Sequence, residues 1–173
     1  MKVELRPGVT NSALCYPERR RAGWESIRKH VLSRDDFCCQ CCGHRALKGM
    51  NLHNLTSSDD NSSDNLATIC VACHAIMHLG RSLSFGSLAV YEANGITQVQ
   101  IVQQTRAGVA SGKALEEINK TFKLKEGKYP PNSIQYANEL LDKIGNQPWA
   151  WLEERLCAVF VKFKSWQLEE TSK

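Results

Sequence analysis

No stretch of this chain approaches the eighteen or so consecutive apolar residues of a membrane-spanning helix, and its polar opening, Met1 to Thr10, lacks the apolar heart of a secretion signal. A cytoplasmic protein is the expectation. Strong charge is missing too: 22 Lys and Arg against 18 Asp and Glu leave +4 over 173 residues, too little to argue for nucleic acid by itself. Arg19, Arg20, Arg21, Arg28, Lys29 and Arg34 do gather ahead of the first cysteine pair, a pattern that reads as a solvated helix face before it reads as a phosphate grip. Neither an internal repeat nor a low-complexity tract occurs, which excludes solenoids and long linkers. The 42% hydrophobic content is that of a globular chain long enough for one core unit with appended helices.

Cysteine, in contrast, is plentiful: eight residues in a setting where reducing conditions favour metal thiolates over disulfides. Cys39-x-x-Cys42 and Cys70-x-x-Cys73 each present two sulfurs from one tight turn, and two such turns supply the four vertices of a tetrahedral zinc. Cys38-x-x-Cys41 satisfies the same spacing. Cys15 and Cys157 read as plain thiols. Between the pairs lie His53 and Asn65, and the second pair runs into His74 and His78, four apart and so on one face of a helical turn. That is the layout of a zinc knuckle beside a second metal site.

Residues 1–18 read as a short strand or arm ending in Tyr16-Pro17. Trp24, Ile27, Val31 and Leu32 recur at helical spacing over about residues 19–34. Met50-Asn51-Leu52 alternates as a strand does, Ser57 to Asn65 is a polar loop, and Leu66 to Ile69 returns to the core. Leu88 to Tyr91 predicts another strand, and Thr97 with Gln100 forms a capping-box pair that opens a helix. Leu115, Ile118 and Phe122 predict a short helix. Asn132 or Ser133 caps a further one carrying Ile134, Ala137, Leu140, Leu141 and Ile144. Pro148 opens a last helix bearing Leu152, Leu156, Val159, Phe160, Phe163 and Trp166. On that helix Trp149 and Trp151 cannot both face one core, so one is expected at the surface as a binding anchor.

Arg34-Asp35-Asp36-Phe37-Cys38-Cys39-Gln40-Cys41-Cys42-Gly43, then Leu52-His53-Asn54-Leu55, Asp64-Asn65-Leu66 and Cys70-x-x-Cys73-His74-x3-His78, resembles the HNH endonuclease family over about residues 20–80. The resemblance implies an α+β protein: a zinc-pinned ββα core of treble-clef type with an N-terminal helix, residues 1–83, followed by a strand and helical annex, residues 84–173. It implies Cys39, Cys42, Cys70 and Cys73 as structural zinc ligands, the glycine after Cys42 choosing between the overlapping pairs. It implies His53, His74 and His78 as ligands of a second divalent metal and Asn65 as the residue that orients a general base. Asn54 stands where that base belongs. An amide does not accept a proton near neutral pH, and general-base assistance is typically worth about a hundred- to ten-thousandfold. His44 and His30 are the remaining imidazoles.

The order of the knuckles, Asp64-Asn65-Leu66-Ala67-Thr68, Cys73-His74, Tyr91, Gly95-Ile96-Thr97-Gln98 and the late helical region is similar to the IcmJ/DotN proteins of type IVB secretion systems. That similarity implies a non-catalytic adaptor bound to the tail of a coupling ATPase, at the cytoplasmic face of the inner membrane. A working metal-dependent DNA endonuclease and a non-cleaving DNA-binding module are the alternatives.

Overall fold

The computed structural model describes residues 2–11, 23–56, 60 and 62–164, and within them a mixed α/β chain with three two-stranded antiparallel sheets and six helices. No helix among them is long and apolar enough to cross a membrane. Arg19, Arg20, Arg21, Cys15, Tyr16-Pro17, Ser57, Ser58, Asp59 and Asn61 of the polar loop, and Trp166 lie outside the described residues.

Helix α1 (Trp24–Arg34) buries Val31 and Leu32, and its described arginines are structural donors. Arg28 Nη2 donates to Met50 O at 2.8 Å. Arg34 donates to Ser63 O at 2.6 Å and Leu66 O at 2.7 Å, and forks onto Asp35 at 2.8 and 3.0 Å. Asp35 also accepts the Thr68 N–H at 2.8 Å. Burial works against its carboxylate, but the Arg34 and Thr68 hydrogen bonds prevail and hold its pKa below the ordinary range.

Strands β2 (Met50–Asn54) and β3 (Leu66–Cys70) pair antiparallel from Met50↔Cys70 to Asn54↔Leu66. β3 is buried throughout and runs without a loop into α2 (Val71–Met77), followed by α3 (Leu79–Ser84). This strand–strand–helix unit positions both candidate sites.

After β4 (Leu88–Glu92), helix α4 (Gln98–Ala110) begins with the expected capping box between Thr97 and Gln100. α5 (Leu115–Thr121) and α6 (Gln135–Ile144) follow, and the Ser133 hydroxyl accepts the Gln135 N–H at 3.2 Å.

The last expected helix is not there: residues 149–160 form β5 (Trp149–Trp151) and β6 (Leu156–Phe160). β6 pairs with β4 and is buried on both faces. Leu156, Ala158 and Phe160 enter the main core, while Cys157 and Val159 join a second cluster with Ala89, Ile101, Ile118 and Phe122. A strand buried on both sides has no polar face, so its run of apolar residues mimics a helical stripe. Cys157 is buried as expected, on a strand, and burial pushes its thiol up to about 12. On β5 the two tryptophans are two apart and share a face, their rings stacked at 6.1 Å.

β5 pairs with β1 (Gly8–Thr10), reached by the N-terminal arm. Gly8 is required there, since a Cβ would stand 2.2 Å from the Trp151 ring. Through this ribbon and β6, the early and late segments share the main core.

Candidate metal centres

The two cysteine turns close on each other. The first follows α1, where Asp36 and Phe37 hold φ of 52° and 53° and Gly43 holds 79°, backbone that glycine adopts without a Cβ penalty. Cys39 N–H donates to His44 O at 2.7 Å and Gly43 N–H to Cys39 O at 2.9 Å, so the turn satisfies its own polar groups. The second is the β3–α2 junction, where the Cys73 N–H donates to Cys70 Sγ at 3.5 Å. All four residues are buried, and their sulfurs lie within 4.8 Å of one another. A tetrahedral zinc with bonds of about 2.3 Å has sulfur–sulfur edges of about 3.8 Å; Cys42 Sγ and Cys70 Sγ are 3.7 Å apart. The donor set is compatible with a structural zinc.

Left to themselves, these sulfurs share protons unequally. Hydrogen bonds from Cys41, Cys42, Cys70 and Cys73 hold the Cys39 thiol far below its ordinary range. Cys70 and Cys73, bonded first of all to Cys39, are pushed well up. Cys42 is lowered as well, and a divalent cation at the centre would favour the thiolate form of all four. Of the overlapping pair, Cys38 is half-exposed and donates to Gly43 O at 3.3 Å. Cys41 is buried with its thiol pushed up, chiefly by its bond to Cys39.

The histidines converge as well. His53 on β2, His74 on α2 and His78 closing α2 each bring a ring nitrogen within 4.8 Å of the others. The His74 and His78 rings are 4.2 Å apart, and His53 meets them edge-on at 6.3 and 6.1 Å. Three imidazoles so placed suit a divalent transition metal.

The β1–β5 ribbon packs against His53 and His78. Thr10 Oγ1 is 3.0 Å from His78 Nδ1. The Trp149 indole lies 4.6 Å from the His53 ring and 6.2 Å from His78. His53 is only 4% exposed. Neither Thr10 nor Trp149 was expected at the site, because their approach depends on pairing between distant strands that no local pattern reports.

No family model and no curated protein matches this chain.

Asn54 and Asn65 both hold the polar loop. Asn54 Nδ2 and Asn65 Nδ2 donate to Asp60 O at 3.2 and 2.7 Å, and Asn65 Oδ1 accepts the Thr56 N–H and hydroxyl at 2.9 and 2.7 Å. His44 stands at the cysteine knuckle, its pKa lowered by burial and then by Arg106, and His30 is exposed on α1. Neither joins the triad's set of converging nitrogens.

Burial, followed by the neighbouring His78, lowers His53 to about 3, against about 6.5 for a free imidazole. The folded protein therefore keeps His53 neutral while the unfolded chain takes up a proton. The stability this confers is complete above about pH 6.5 and is lost as pH falls toward 3. With no metal at the triad, the stability difference between wild type and His53→Leu is expected to shift by a few kcal/mol in favour of the variant across that window. Denaturant titrations at successive pH values read this, and a pH-independent difference would contradict it.

Proposed function

We propose that the protein is a zinc-pinned, HNH-like scaffold that does not cleave DNA: an adaptor subunit of a multiprotein assembly, of the secretion or conjugation coupling type. The observation that carries this reading is the state of the triad's surroundings. A nuclease metal needs open positions for water and a scissile phosphate, with a base beside the water. By the resemblance the position for that base holds Asn54, whose amide is bonded to the polar loop, and Trp149 packs beside His53 while Thr10 meets His78. The four-cysteine zinc would keep a purely architectural role. Exposed Ile134 and Leu141, seven apart on and beside α6, give an adaptor apolar side chains to present. The partner would be the tail of a coupling ATPase, recruiting the protein to the cytoplasmic face of the inner membrane.

Supercoiled plasmid incubated with magnesium, manganese, nickel or zinc is expected to stay intact, and the purified ATPase tail is expected to bind in calorimetry. Cleavage that His74→Ala abolishes would replace this reading with the nuclease one, which the convergence of three imidazoles favours.

A further inference from the structure

Four thiolates around one divalent ion carry a formal charge of −2, and the sulfurs proposed to carry it are buried. Charge removed from water needs a counter-charge and hydrogen bonds of its own. The cysteine turns supply backbone N–H groups but no cation. The cation comes from α4, in the later half of the chain. Arg106 Nη2 donates to Cys70 Sγ at 3.4 Å. One helical turn earlier, Gln103 Nε2 donates to Cys42 O at 2.9 Å. The two side chains are three residues apart on one face of α4, and each reaches a different cysteine turn.

We propose that Arg106 is the counter-cation of the zinc–thiolate centre and that the metal's charge, through Arg106, holds α4 against the knuckle. Its guanidinium donates to a sulfur that already accepts the Cys73 N–H, so two N–H donors converge on Cys70. Each donor stabilises the thiolate over the thiol, which opposes the protonation that would release the sulfur from the metal. α4 in turn fixes β6, since Gln98 exchanges two hydrogen bonds of 2.8 Å with Ala158. Zinc loading is thereby linked to the packing of β6. The inference depends on zinc at the four cysteines and is independent of the adaptor reading.

The test begins with metal analysis of the purified wild-type protein. No zinc there sinks the centre itself; one zinc per chain isolates the question of Arg106. Zinc transfer to a competing chromogenic chelator is then timed for wild type, Arg106→Gln, Arg106→Lys and the exposed-surface control Gln104→Ala. Arg106→Gln is expected to release zinc on the order of 10-fold faster, Arg106→Lys by less, and Gln104→Ala at the wild-type rate. Cobalt(II) replacement gives a readout that mere packing would not move. Losing the N–H···S bond raises the sulfur donor orbital, so the sulfur-to-cobalt charge-transfer band shifts to longer wavelength in Arg106→Gln and less in Arg106→Lys. Wild-type release and an unshifted band in Arg106→Gln would overturn the proposal. Should that variant not accumulate, Arg106→Lys decides it by the same two measurements: partial effects in both support the assignment, and wild-type values in both reject it.

Discussion

Cys73→Ser is expected to leave the protein without zinc and without a cooperative unfolding transition. Cys73 is fully buried at the start of α2, where its sulfur meets those of Cys39, Cys42 and Cys70. A serine hydroxyl there is a poor zinc ligand and leaves an unsatisfied polar group among sulfurs. Structural zinc in small metal domains contributes about 10–16 kcal/mol at neutral pH, while a whole domain is stable by only about 5–15 kcal/mol. Loss of one ligand thus threatens the entire net stability. Atomic emission and scanning calorimetry read the outcome. Cys38→Ser, at the half-exposed thiol of the competing pair, should retain both the metal and the transition. Zinc lost from Cys38→Ser and kept by Cys73→Ser would mean that the wrong quartet has been assigned.

Phe160→Ala should remove about 3–5 kcal/mol, the usual cost of truncating a buried phenylalanine. Its side chain is fully buried in the main core and lies 4.8 Å, ring to ring, from Phe163. Val161 follows directly, is 44% exposed and sits just past the end of β6. Val161→Ala should therefore stay within about 0.5 kcal/mol. Urea denaturation of the two variants measures the contrast, and comparable losses would contradict the burial described for this edge.

The candidate metal-ligating residues were legible because their constraints are local. A C-x-x-C turn, a histidine pair at i and i+4, and a capping box each fit within a few positions, and all three occur as read. The β2–β3–α2 unit was equally legible, since alternation in Met50 to Leu52 and an apolar run ending at Cys70 leave little choice. The late segment was not. β6 is buried on both faces, which erases the period of two, and Pro148 before Trp149 offered a false helix start. The tryptophans looked incompatible with one face only on the assumption of a helix. Most of what surrounds the triad was also hidden: Thr10 and Trp149 reach it by pairing across almost the whole chain, and the reach of Arg106 to Cys70 depends on how α4 docks.

That long-range pairing sets an order of events during synthesis. Arg6 donates to Leu152 O, 146 positions away, and β1 has no partner strand until β5 exists. The four cysteines of the knuckle, by comparison, are all present once Cys73 has been made, so metal can be bound before α4 brings Arg106 to Cys70. Pairings of such high sequence separation form late. The histidines therefore gain their Thr10 and Trp149 contacts only once translation has passed Trp149, well after all four cysteines of the knuckle have been made.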